Sequence, residues 1–265
     1  LSPSSAASDV YKRQLRDIEP ETNTVADLIP QILPGSADEF RLLTDAVGEK
    51  GYRQIDINLG CPFPMIAGKH KGAGMLLYPA QVAEVLAPIA EYPEIQFSLK
   101  MRLGWENASE CMVLVELLNT LRLSRIALHA RTGKQQYKGH PDLEAFQGFY
   151  ELCQHPLYYN GDIESLSDIR QILTRFPLLK GVFIGRGLLS SPLLAKEFKG
   201  NETFLPEQRM SIYFAFHEEL FSAYSQVLQG ETQLLVKMKT LWEYFLPETD
   251  RKLLKRIKKL SLIHI

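Results

Sequence analysis

The sequence is poor in several things, and each shortage closes off a class of function. It has three cysteines in 265 residues, Cys61, Cys111 and Cys153, and their spacing fits neither a disulfide framework nor a metal site. We therefore expect no metal and a reducing, cytoplasmic setting. No apolar run approaches the roughly 18–20 residues that a membrane helix requires, which argues against a membrane protein. Neither charge dominates: the formal net charge is −1. Nothing global points to nucleic acid, although an average can conceal a local patch. The hydrophobic content, 45%, is too high for a chain disordered throughout. What remains is an ordinary globular composition, with room for one large domain or two smaller ones.

An initiator methionine is also lacking. The chain starts at Leu1, and the SPSSAASDVYKRQ that follows has no hydrophobic periodicity and no feature of a signal or transit peptide. We expect residues 1–14 to be a non-native leader and SLIHI, 261–265, to be a non-native tail.

Between these ends, short β-rich runs alternate with helical patterns. Strands are expected at 26–33, 53–59, 95–101, 125–130, 157–160 and 181–185, mostly as near-continuous apolar runs suited to burial on both faces. Helices are expected at 37–51, 79–92, 108–121 and 165–176, with Gly51 as a C-cap and Ser165 or Ser167 as an N-cap. Such alternation means βαβ units and a parallel sheet. From about Phe204 to Lys259 the pattern is helical throughout, so a boundary is expected near 198–205. Periodicity alone allows either an open doubly wound sheet or a closed barrel. Polar or reactive residues at the strand ends, namely Gln31, Asn58, Lys100, His129, Asn160 and Gly185, favour the barrel, where such ends converge. Six strands are counted, whereas a (β/α)8 barrel has eight.

The stretch DINLGCPFPMIAGKHKGAGMLL, 56–77, carries the most chemistry. Asn58 and Cys61 directly follow a buried strand, and two prolines stiffen the turn, a rigid mount for a group that must meet a substrate. Glycines beyond it permit movement, and Lys69, His70 and Lys71 offer cations to phosphates. A P-loop is excluded, because no GK[ST] follows at the required offset. Cys61 taken alone reads equally well as a small buried residue, and Cys111 and Cys153 read as packing. Lys100 and Arg102 would be two costly buried cations unless an anion or an electron-rich ring compensates them. The glycine turns of NGD (160–162) and GRG (185–187), each leading into a helix, suit phosphate.

Taken together, these motifs resemble the tRNA-dihydrouridine synthases, over about residues 25–260. DINLGCP followed by GAGMLL is similar to the family's central signature, with Cys61 in the position of its catalytic cysteine. The resemblance implies cofactor contacts from Gln31, Lys100, His129, Arg131, Asn160, Gly161, Asp162, Gly185 and Arg186. It implies FMN as cofactor, NADPH as electron donor and tRNA as substrate. The reaction it implies is reduction of uridine to 5,6-dihydrouridine, with a hydride from reduced FMN and a proton from Cys61. An ordinary thiol, with a pKa of about 8.5, is protonated at neutral pH and can donate without special tuning. The family's first flavin-contacting motif has no counterpart before Gln31. The expected fold is thus an α/β (β/α)8 TIM barrel lacking its first two β/α units, residues 15–200, followed by a small all-α tRNA-binding domain, 201–260.

For substrate contacts we expect Asn58, Lys69 and Lys71, and from the helical block Lys237, Lys239, Lys255 and Arg256. That block is rich in lysine and arginine, the footprint expected for an RNA backbone, whereas Trp242, Tyr244 and Phe245 within it read better as core. A monomer is expected. Two other readings compete. Another FMN barrel oxidoreductase acting on a small pyrimidine-like substrate is opposed by the basic helices. A non-catalytic RNA-binding protein is opposed by Cys61, Lys100 and His129 standing together.

Overall fold

The computed structural model describes residues 18–23, 27–246 and 250–259; the expected leader and tail lie outside them. The chain divides into two compact units, Leu1–Gly161 with Phe176–Phe183, and Asp162–Arg175 with Ile184–Ile265.

In chain order the first unit contains β1 (Gln31–Ile32), α1 (Ala37–Glu49), β2 (Gln54–Leu59), α2 (Pro64–Ala67), α3 (Pro79–Leu86) and β3 (Gln96–Gly104). It continues with α4 (Glu110–Thr120), β4 (Leu123–Thr132), α5 (Leu143–Leu152), β5 (Leu157–Asn160) and, after an excursion into the second unit, β6 (Gly181–Phe183). All neighbouring strands pair in parallel, in the order β1-β2-β3-β4-β5-β6. A doubly wound sheet reverses direction at a switch point; an unbroken sequential order is the arrangement of a barrel. The described residues supply six such strands, with β1 and β6 at the edges.

Local chemistry sets most boundaries. At the start of α1 the Ser36 hydroxyl accepts from the Glu39 N–H, and Gly51 (φ 89°) follows the helix end. The helix expected over 79–92 is α3 followed by a separate 3-10 turn, Ala87–Glu91, because Pro88 has no N–H to continue the α-helical pattern. Strand β1 is far shorter than the expected 26–33, since Pro30 and Pro34 bracket it and cannot donate to a ladder. Helix α5 has no counterpart among the expected helices; Asp142 caps it through the Ala145 N–H, and Phe146 and Phe149 turn inward.

The sheet has two unlike faces. Ile55, Ile57, Phe97, Leu99, Met101 and Leu128 form part of an apolar face that is fully buried. The alternate positions are largely polar: Asp56 and Asn58 on β2, Ser98, Lys100 and Arg102 on β3, and Arg125, His129 and Arg131 on β4. Period-two alternation puts them on one side.

The second unit is helical among its described residues: α6 (Leu166–Arg175), α7 (Arg186–Ser190), α8 (Leu194–Gly200), α9 (Pro206–Val227), α10 (Glu231–Leu241) and α11 (Arg251–Lys259). Ser165 and Asp168 cap α6 reciprocally, each accepting from the other's backbone N–H. Leu193, Tyr213, Met238, Leu241 and Phe245 form a core in this unit, so Phe245 packs as the sequence suggests.

Candidate active site

Register aligns the polar strand ends of the first unit. Gln31 pairs with Asp56, Asn58 with Lys100, Arg102 with His129, and His129 with Asn160. Five of the expected site residues, Gln31, Asn58, Lys100, His129 and Asn160, therefore lie along one edge of one face. The Asn58 carboxamide oxygen accepts from the backbone N–H groups of both Gly60 and Cys61, at 2.9 Å each. Its Nδ2 donates to the Gln31 Oε1 at 2.6 Å, and the Gln31 Nε2 donates to the Asp56 carboxylate, also at 2.6 Å.

The cysteine loop is packed more tightly than its glycines suggest. A Cβ on Gly72, whose φ is +56°, would lie 2.8 Å from the Cys61 carbonyl oxygen, and one on Gly74 would lie 2.4 Å from that of Ala67. These glycines let backbones approach closely. The cations that follow Cys61 divide. Lys71 is held by Glu39 at 2.5 and 2.6 Å, His70 stacks on Tyr78 with centroids 4.3 Å apart, and Lys69 is exposed.

The two cations of β3 have different surroundings. Arg102, 1% exposed, donates to three backbone carbonyls, Gly60 at 3.0 Å, Thr132 at 2.8 Å and Gln136 at 2.7 Å, and its guanidinium lies over Tyr137. For Arg102 the electron-rich ring is thus the chain's own Tyr137. Lys100 makes no hydrogen bond or ion pair among the described residues, and burial, followed by the nearby Arg102, lowers its pKa. Arg131 donates to the Gly139 carbonyl at 2.7 Å and approaches His129 Nε2 at 3.4 Å. Asn160 donates to the Phe183 carbonyl at 2.9 Å, and Gly161, at φ 149°, has no room for a Cβ beside the Tyr159 hydroxyl.

Of the cysteines, Cys111 is fully buried and its thiol is pushed up to about 12 by burial; burial also raises Cys153. Cys61 is half-buried at the end of β2.

In the second unit, Arg186 donates to the Asp162 carboxylate at 3.1 Å. A Cβ on Gly185 would meet nothing within 4 Å, whereas one on Gly187 would collide with the Ile163 carbonyl. Only the first glycine of that turn faces open space. Lys237, Lys255 and Arg256 are exposed on α10 and α11, and Lys239 is half-buried. Trp242 donates from its ring N–H to His217 Nε2 at 3.1 Å.

Sequence reasoning passed over Asp56 and Ser98. The available signal was period two: Asp56 precedes Asn58, and Ser98 precedes Lys100, by one strand repeat.

The chain is 28% identical to tRNA-dihydrouridine synthase B of Vibrio vulnificus over 63% of this chain and 54% of that protein. It is 27% identical to the Pseudomonas putida tRNA-dihydrouridine synthase B over 71% of this chain and 54% of the relative. It thus spans about half the length of the curated relatives it matches. Among solved structures, morphinone reductase superposes with a TM-score of 0.48 at 15% identity, over 65% of this chain and 51% of that one. The family model described as dihydrouridine synthase matches residues 6–259, a range that contains every strand end described above, and the chain therefore belongs to the dihydrouridine synthase family.

Proposed function

We propose that this chain carries the catalytic strand ends of an FMN-dependent enzyme that reduces uridine to 5,6-dihydrouridine in tRNA. The observation that supports this reading best is the mounting of Cys61: its backbone is held by Asn58, which stands in register with Lys100. The donor set suits a flavin. A half-buried ammonium with no partner among the described residues (Lys100) and the side-chain amides of Gln31 and Asn58 match electron-rich ring carbonyls. His129, Arg131, Asn160 and Gly161 are proposed as further contacts, and Asp162, Gly185 and Arg186 of the second unit as the phosphate-binding set. When bound, FMN would supply the hydride to carbon 6, with NADPH as the source of its electrons.

The chain's own residues supply the rest. Cys61 gives a proton to carbon 5 from the opposite face of the base. Lys100 and Arg131 bring positive charge to where anionic character develops. The uridine must leave the tRNA stack to reach Cys61, a base-flipping requirement. Asn58, Lys69 and Lys71 are assigned to substrate at this site, with Lys71 first having to exchange its Glu39 partner. Residues 15–200 are the catalytic part, and 201–260, with Lys237, Lys239, Lys255 and Arg256, hold the tRNA backbone. The basic helices favour this reading over a small-molecule oxidoreductase.

The test is mass spectrometry of tRNA from a host lacking its own such enzymes and supplied with the full-length gene. Dihydrouridine is expected, and Cys61→Ala should abolish it while retaining flavin. Absence of dihydrouridine from the unaltered enzyme would overturn the activity; normal turnover in Cys61→Ala would remove the acid assignment.

A further inference from the structure

Four polar side chains on the polar face of β1, β2 and β3 form a chain with a defined direction. Asp56, 7% exposed, accepts from Ser98 through Oδ1 at 2.6 Å and from Gln31 Nε2 through Oδ2 at 2.6 Å. Gln31 Oε1 accepts from Asn58 Nδ2 at 2.6 Å, and Asn58 Oδ1 accepts from the Gly60 and Cys61 N–H groups.

The direction is fixed from both ends, by the Asp56 carboxylate and by the loop N–H groups. An ionised carboxylate can only accept, so Gln31 must turn its NH2 toward Asp56 and its carbonyl toward Asn58. Asn58 must then turn its own NH2 toward Gln31, which leaves its carbonyl facing the two loop N–H groups. With either amide reversed, donor would face donor at Gln31–Asn58 or at Cys61. Asparagine and glutamine have no intrinsic preference between the two orientations; the acceptor-only carboxylate of Asp56 at one end and the donor-only loop N–H groups at the other both supply it.

We infer that Asp56 is a positioning residue for Cys61, acting through the amides of Gln31 and Asn58 to hold the reactive loop in one conformation. Its relevance to proton delivery rests on the function proposed above, but the relay itself is a property of this chain's own side chains.

Its polarity makes it testable by inversion. In Asp56→Asn the acceptor-only group is gone, an NH2 can face Gln31 in its place, and only the loop N–H groups still fix the amides. In Asn58→Asp the NH2 that Gln31 requires is gone, and two carboxylates flank one amide. In the double variant D56N/N58D the whole chain can run backwards. Asp at 58 accepts from Gln31 and from both loop N–H groups, Gln31 accepts from the Asn at 56, and that Asn accepts from Ser98.

The experiment is amide hydrogen exchange on the full chain, without flavin or RNA, resolved for Gly60 and Cys61 and compared with Leu99 and Leu128 in the sheet. Each single variant should speed exchange at Gly60 and Cys61 by roughly tenfold while leaving the sheet amides slow. The double variant should restore protection. Gln31 is exposed, so Gln31→Met removes the middle of the relay with little risk to folding, and should speed exchange at the same two amides. Unchanged exchange in Gln31→Met, acceleration spread equally over the sheet, or no recovery in the double variant would overturn the relay. A full-length enzyme that makes no dihydrouridine, yet shows these exchange rates, would fail the proposed function and leave the relay standing.

Discussion

At the scale of single residues, the loop after β2 is held by what is absent from it as much as by what is present. Gly72 has a positive φ and sits against the Cys61 backbone, so any side chain there must move the residue that carries the thiol. Gly72→Ala should therefore cost about 1–3 kcal/mol of stability, from left-handed strain plus the clash, read as a lower urea midpoint. Gly51→Ala has the strain without the clash, since a Cβ there meets nothing within 4 Å, and separates the two contributions. The buried arginine of β3 follows the same logic of internal satisfaction. Three carbonyls and a tyrosine ring surround Arg102, and one of those carbonyls belongs to Gly60, next to Cys61.

At the scale of elements, α9 and the residue that follows α10 are joined by a polar contact inside an apolar setting. Trp242 donates to His217, which must accept and therefore be neutral at Nε2. Burial lowers the His217 pKa from its ordinary 6.5, with Glu218 opposing more weakly. The depressed value means that the unfolded chain binds the proton more readily. The stabilisation is complete above pH 6.5 and is lost as pH falls from there through the lower folded value. In a Trp105→Phe background, where Trp242 is the remaining tryptophan, the fluorescence-detected urea midpoint should fall between about pH 7.5 and about pH 5.5. His217→Gln, which keeps an acceptor but cannot titrate, should flatten that dependence. An equal slope in both proteins would remove His217 as its cause.

At the scale of the whole molecule, a net charge of −1 conceals a basic C-terminal stretch behind a more acidic remainder. Lys252, Lys255, Arg256 and Lys259 of α11 are all exposed, while Leu254 and Ile257 are half-buried, so the helix presents its cations outward. Reversing these four charges to glutamate should weaken tRNA binding and reduce the steepness of its salt dependence, measured as affinity against salt concentration. Unchanged affinity would remove α11 from the proposed RNA-binding surface.

Much of this was legible in residue order. Strand–helix alternation, the six strands and the helical C-terminal stretch follow from periodicity and turn chemistry, which act over a few neighbours. The motif order of 56–77, 98–105 and 128–140 marked the strand ends that register then aligns. Less legible were features created by register. Asp56 and Ser98 are 42 positions apart and meet at 2.6 Å because β2 and β3 pair in parallel. Arg102 finds its carbonyl partners in the loop after β2 and at and beyond the end of β4, and Gly72 closes against Cys61 across the intervening turn of α2. A local pattern records the side chain a position requires. It does not record which distant group will satisfy that side chain, because the pairing of strands is settled by burial of the sheet's apolar face as a whole.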